Sequence, residues 1–327
     1  MSSAFDFVNT SQANYIKFGI LLTVQVPSVI SFLWIFRQFA RKHHLLKQNH
    51  HHVILLLLIN SFLFVTIPLP FTQAFLFRSY VYPSTQFFCS MWICIQYSLN
   101  IANLFLMAFA SIERHWLIFY PKFIDNRRRK FLFHYCPLAF CFFYPFMFYV
   151  SAIFIHQCQP YYDYNVLTCL WPCYFLNRIW ASVDQYFNTY APLLSIPIFC
   201  SALYLRVFIQ KRTMKQQAFK WCRDKKMILQ LWAISSLYLA VWMPMQLCIF
   251  INVYWDPLFL LQAQIDYMYL LPYFLHLIYP FFLLIILKKD MIKTSHNTIT
   301  IMPISALDHN IGGDKSVRTK GRMETVM

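Results

Sequence analysis

Charged positions along this chain fall in clusters, and the stretches between the clusters carry none. Seven long stretches contain no Asp, Glu, Lys or Arg: 18–36, 53–77, 79–112, 131–162, 185–205, 227–255 and 267–287. Each is near or above the roughly 20 apolar residues that a helix needs to cross a bilayer core. Helices of a soluble core keep a polar face at a period of about 3.6 residues, and these stretches mostly show none. Runs such as VILLLLINSFLFV (53–65) do not alternate, so they do not read as barrel strands. Hydrocarbon offers no partner to a free N–H or C=O, which leaves the helix as the spanning form. The pattern predicts an all-α membrane protein, a seven-transmembrane-helix bundle with spans at about 15–39, 52–77, 83–115, 131–155, 183–209, 226–252 and 264–287. Residues 1–14 then form a short N-terminal segment, 15–289 one membrane domain, and 290–327 a tail. The tail is polar, contains Gly312-Gly313 and has no apolar period, so it is expected to be disordered.

Composition agrees, with 59% hydrophobic and 12% charged residues, against roughly 25% charged in soluble domains. The placement of charge adds an orientation. With the N-terminus outside, the outer segments hold three basic residues (Lys17, Arg78, Arg178) and five acids (Asp6, Asp163, Asp184, Asp256, Asp266). The inner segments hold the other 25 basic residues and seven acids. The positive-inside rule therefore predicts N-terminus outside and C-terminus inside. Anionic lipid accounts for the inner charge, and no nucleic acid is implied. The first span is not expected to be a cleaved signal, since residues 1–14 carry no basic n-region and the apolar run ends in RQFARK. Asn9-Thr10-Ser11 is a glycosylation sequon on the outer side.

Four cysteines, Cys89, Cys158, Cys169 and Cys173, fall in outer segments, where disulfides persist. The first inner loop, RQFARKHHLLKQNHHH (37–52), is histidine-rich. It holds no Cys or carboxylate to complete a zinc site, so it reads as a solvated loop facing headgroups, and neither metal nor cofactor is expected. Only four glycines occur, which argues against a transporter built on broken, closely packed helices. No H-E-x-x-H or Ser/His/Asp signature lies in the spans, and no enzyme is expected.

Glu113 and Arg114 close 34 residues without a charge. Such a pair at a span end can act as an anchor reaching the interface. The offsets around it say more. Glu113-Arg114-His115 resembles the D/E-R-Y/H triplet that ends the third helix of rhodopsin-like (class A) G-protein-coupled receptors. Cys89 lies 25 residues before Arg114 and Pro121 seven after it, as that family places its disulfide cysteine and a proline. In the sixth span, Tyr238-Leu-Ala-Val-Trp242-Met-Pro244 is similar to F-x-x-C-W-x-P, and Asp224 stands where many relatives hold an acid that pairs with the triplet Arg. Pro192, Pro68 and Pro280 fall where the family kinks its helices. The resemblance covers 15–289. Departures include no Asn in 18–36, Asn60 for the usual Asp (which argues against a sodium site), no Trp in span four, Cys200 for a common Tyr, and Tyr279-Pro280-Phe-Phe-Leu283 for N-P-x-x-Y. The chain looks like a divergent, peptide-receptor-like invertebrate member.

The resemblance implies a plasma-membrane receptor that binds an extracellular ligand and activates a heterotrimeric G protein as helix six moves outward. It implies switch roles for Glu113, Arg114, His115, Asp224, Tyr238, Trp242, Pro244 and Pro280, with Arg114 held at rest by Glu113 and Asp224. It places ligand contacts at Gln96, Tyr97, Asp184, Asn188, Gln246, Asp266, Tyr269 and Tyr273. Gln96 stands where amine receptors keep Asp, and Tyr273 where opsins keep Lys, so amines and retinal are disfavoured. The acidic and aromatic outer face (YYDY at 161–164, Tyr254-Trp255-Asp256, Asp266-Tyr267) favours a cation, and a peptide ending in Arg–aromatic–amide comes ahead of a small neutral ligand. The family's disulfide joins Cys89 to a second-loop cysteine. Cys169 is favoured, leaving Cys158 with Cys173, and Cys89–Cys173 is the alternative. Thr325-Val326-Met327 matches the S/T-x-hydrophobic end that PDZ domains capture, and Ser295, Ser305 and Ser316 are candidate phosphorylation sites. The rivals are a transporter or channel, separable by substrate flux, and a receptor that binds ligand without signalling.

Overall fold

The computed structural model describes residues 2–41, 49–119, 126–156, 158, 162–170, 172–213, 218–256 and 258–299; over 2–11, 49–50, 118, 210–213, 218–231, 261–262, 266 and 286–299 the backbone alone is described. Among the described residues there is no strand, and seven helical segments are long and apolar enough to cross a membrane. They are α1 (Gln12–Arg41), α2 (His51–Arg78), α3 (Gln86–Leu117), α4 (Arg127–Ile155), α5 (Arg178–Ile209), α6 (Trp232–Tyr254) and α7 (Ala263–Ile285). The chain forms an all-helical, seven-span bundle. Helical backbone begins at Ser2, ahead of the expected first span, and the last helix runs on to Ile299, past the expected end at 287. Residues Met1–Ile286 make one unit and Leu287–Met327 a second.

α3 is the central element. It packs against α2, α4 and α5. In its most apolar stretch 83% of residues are buried, against 22–50% in the other six. The reason is visible in its sequence. Small and polar residues (Ser90, Ser98, Asn100, Ala102, Asn103, Ala108, Ala110, Ser111) occupy buried positions where neighbouring helices approach closely. Outer positions of α1, α4 and α5 carry exposed Ile, Leu, Phe and Val, as a lipid-facing surface requires.

Proline shapes three of the helices locally. In α2 the chain breaks at Ile67, and Pro68 opens a second helical segment. A proline ring meets the carbonyl four residues earlier, so the preceding turn must bend or widen. In α5, Val183–Tyr190 is wound as a π-helix just ahead of Pro192. In α4, Phe131–Tyr135 is likewise widened ahead of Pro137. Wide turns of this kind re-aim side chains and recur at functional sites. Both stretches carry residues that matter below.

Candidate functional site

At the end of α3 that carries Cys89, two disulfides fix the connection between α4 and α5. They join Cys89 to Cys169 and Cys158 to Cys173. The segment around QPYYDYNVLT is not a strand hairpin among its described residues. It turns at Asp163–Val166 and continues as a 3-10 turn, with Thr168, Cys169 and Leu170 at positive φ. The Cys89–Cys169 bridge thus pins this loop over α3, where Val81 N–H donates to the Tyr164 carbonyl and Ser90 Oγ meets Tyr162 OH at 2.9 Å.

Beneath the loop lies a layer of buried polar groups. The widened turn of α5 aims Asp184 inward. One of its carboxylate oxygens accepts from Tyr149 OH at 2.6 Å and from Asn188 Nδ2 at 3.1 Å, and the other from Tyr174 OH at 2.8 Å. Asn188 in turn accepts from Tyr144 OH at 3.0 Å. Burial and the nearby Asp184 charge push the Tyr174 phenol well above its ordinary range, so it remains a donor at any physiological pH. Tyr97 of α3 packs edge-on to Tyr149, and Tyr269 and Tyr273 of α7 come close to it. Tyr273 OH donates to Gln96 at 2.9 Å and accepts from Thr72 at 2.5 Å. Gln246 of α6 accepts from Gln185, the neighbour of Asp184, at 2.8 Å. The structure therefore brings Gln96, Tyr97, Asp184, Asn188, Tyr269 and Tyr273 into one layer, with Gln246 attached through Gln185. Asp266 ends the short helix Leu261–Asp266 at the start of α7, and its side chain is outside the described residues, as is that of Asn9. Tyr149, Tyr174 and Tyr144 were not anticipated. A tyrosine in an aromatic-rich helix gives no sign of whether its hydroxyl faces lipid or a carboxylate.

A second polar cluster sits deeper. His276 of α7 stacks on Phe64 and is enclosed by Asn100 and Asn103 of α3 and Ser61 of α2. Asn100 Oδ1 can only accept, so His276 Nε2 carries the proton, and Nδ1 accepts from Asn103 Nδ2 at 3.1 Å. Asn60 of α2 is turned away from the cluster and donates to the Leu99 carbonyl at 2.7 Å. Ser61, one position on, takes its place, because adjacent helical residues point about 100° apart. The cluster holds no carboxylate among the described residues. Tyr238, Trp242 and Tyr279 are buried, and Pro244 and Pro280 lie inside their helices.

At the far end of α3 stand Glu113, Arg114 and His115, all buried. The expected contact between Glu113 and Arg114 is not formed. Residues one apart on a helix do not face each other, and Glu113 instead meets His134 Nδ1 from the widened turn of α4. Arg114 Nη1 has no hydrogen-bond partner among the described residues. His115 bonds the Phe199 carbonyl of α5 at 2.8 Å. Asp224 lies on the helical run Ala218–Tyr254 that contains α6, but its side chain is outside the described residues, and Pro121 lies outside them altogether.

The architecture is seven spans, a central α3 bridged by disulfide to the α4–α5 loop, and a buried Glu-Arg-His at the opposite end of α3. The model of one family, 7 transmembrane receptor (rhodopsin family), matches residues 33–282. The chain belongs to that family. Among curated proteins none matches it. It is therefore a multi-pass membrane receptor, not an enzyme. Within this receptor the match spans both polar clusters and the triplet, so each of them sits in the family's own framework.

Proposed function

We propose that this receptor binds an extracellular ligand at the disulfide end of the bundle and activates a G protein at the Arg114 end. On this reading the N-terminus is outside, the C-terminus inside, and the plasma membrane is the site of action. The observation that supports it best is the state of Arg114. A buried guanidinium with a nitrogen that finds no partner among the described residues is costly unless another state of the molecule satisfies it. A G protein docking at that end supplies such a state. A ligand that favours it shifts an existing equilibrium.

The ligand we propose is a cationic, amidated peptide. The Asp184 carboxylate is held by three neutral donors, and no cation is paired with it among the described residues. An acidic group without a cationic partner among the described residues thus stands in an aromatic layer, which suits an arriving cation. The test is a panel of amidated peptides on cells expressing the chain, read by cAMP and calcium. Asp184→Asn is expected to weaken potency more than tenfold at unchanged surface expression, since losing one partner of a desolvated charge contact costs about 2–5 kcal/mol. Potency within threefold of the parent would point to a small neutral ligand.

A further inference from the structure

Glu113, His134 and His52 form one hydrogen-bonded chain across α3, α4 and α2, and the switch described above uses neither histidine. Glu113 Oε1 and His134 Nδ1 are in direct contact, with both side chains 2% exposed. On the other edge of that imidazole, His134 Nε2 lies 2.9 Å from His52 Nδ1. The sequence explains the placement. The widened turn Phe131–Tyr135 carries His134 inward, and His52 opens the apolar part of α2.

A carboxylate only accepts, so His134 Nδ1 holds a proton. The second contact needs one proton between two nitrogens. It is satisfied by neutral His134 accepting from His52, or by doubly protonated His134 donating to it. The chain can therefore gain a proton without losing a hydrogen bond. In the protonated form an imidazolium faces the Glu113 carboxylate, the stronger, charge-assisted pairing.

The surrounding groups decide what this does. From α3, Arg114 adjoins Glu113, while His115 is turned to α5. From α2, His51 stands next to His52 and packs against Phe39 of α1. From α4, Tyr135 packs against His52 and His134, Lys130 lies over the Tyr135 ring, and Arg127, Arg128 and Arg129 are exposed just ahead. Arg114 is the neighbour most affected. While the histidine pair is neutral, the Glu113 charge offsets that of Arg114. Once the pair is protonated, His134 takes up that charge, and buried Arg114 loses the compensation that Glu113 gave it. That favours any state in which Arg114 reaches water or a partner.

We propose that His52 and His134 form a proton-operated clasp on Glu113, so that acidification at this end of the bundle shifts the receptor toward release of Arg114. The proposal rests on the G-protein reading for its output alone. The sign follows from proton binding: the released state binds the proton more tightly, so lower pH stabilises it. One proton gives at most about tenfold per pH unit.

The test uses the full chain in lipid nanodiscs, with Lys220→Cys carrying an environment-sensitive fluorophore in a Cys136→Ser, Cys222→Ser background. The expected result is an emission change on acidification that fits one proton, is lost in His134→Gln, and is weakened in His52→Gln. Ligand-free nucleotide exchange on an added G protein should rise in parallel, about three- to tenfold. A flat emission profile in the parent chain, or a full response kept by both variants, would overturn the clasp. If His134→Gln does not fold, His52→Gln decides alone, because it leaves the contact with Glu113 in place. A titration that depends on the histidines, with no exchange on any G protein at any pH, would sink the coupling reading and leave the clasp standing.

Discussion

Polar side chains in an apolar medium each need a partner, and most of this receptor's buried ones have found it in another helix. His276 links Ser61, Asn100 and Asn103, residues far apart in sequence, through one imidazole. Hydrogen bonds between helices in a membrane average about 0.6 kcal/mol and reach about 1.7. His276→Phe keeps a planar ring and removes all of them, so a loss of about 1–2 kcal/mol is expected. In a protein of this size that corresponds to a drop of roughly 1–3 °C in Tm, measurable on the solubilised chain by thermal shift. An unchanged Tm would mean the cluster contributes specificity and not stability. His276, Asn100 and Asn103 were not singled out in the sequence, although polar residues inside spans rarely face lipid. Nor were their partners. The choice between Asn60 and Ser61 depended on one helical step, which an apolar run such as 53–65 does not mark.

At the scale of elements, the seven spans were legible because each lacks charge over a membrane's thickness, and the described spans overlie the expected ones. The local winding was not. Pro192 and Pro137 announce a disturbance, but the direction in which Asp184 and His134 are thereby turned emerges only from the widened turns themselves. For the same reason the adjacency of Glu113 and Arg114 suggested a pair, where helix geometry sends one toward α4 and leaves Nη1 of the other without a partner among the described residues. α6 carries the remaining proposal. If Asp224 holds Arg114 in the resting state, Asp224→Ala frees the helix that contains Trp242 and Pro244. Basal G-protein activation, normalised to surface receptor, should then rise. A basal level equal to that of the parent would mean Asp224 only balances Lys225 and Lys226 in solvent.

For the whole molecule, the account joins two ends of one buried helix. One end of α3 is tied by Cys89 to a loop that roofs an acidic, aromatic layer; the other presents Glu113, Arg114 and His115. Between them lies a neutral polar cluster where a change at α7 reaches α2 and α3 directly. The central claim is that Arg114 transmits a ligand's effect to a G protein without taking part in ligand binding. The most direct measurement is peptide-stimulated nucleotide exchange on a G protein by the full chain and by Arg114→Ala, with peptide binding measured on the same membranes. The account predicts that Arg114→Ala binds peptide with parental affinity and stimulates no exchange. Parental exchange by Arg114→Ala, or solute flux through the parent chain with no exchange under any ligand, would contradict it.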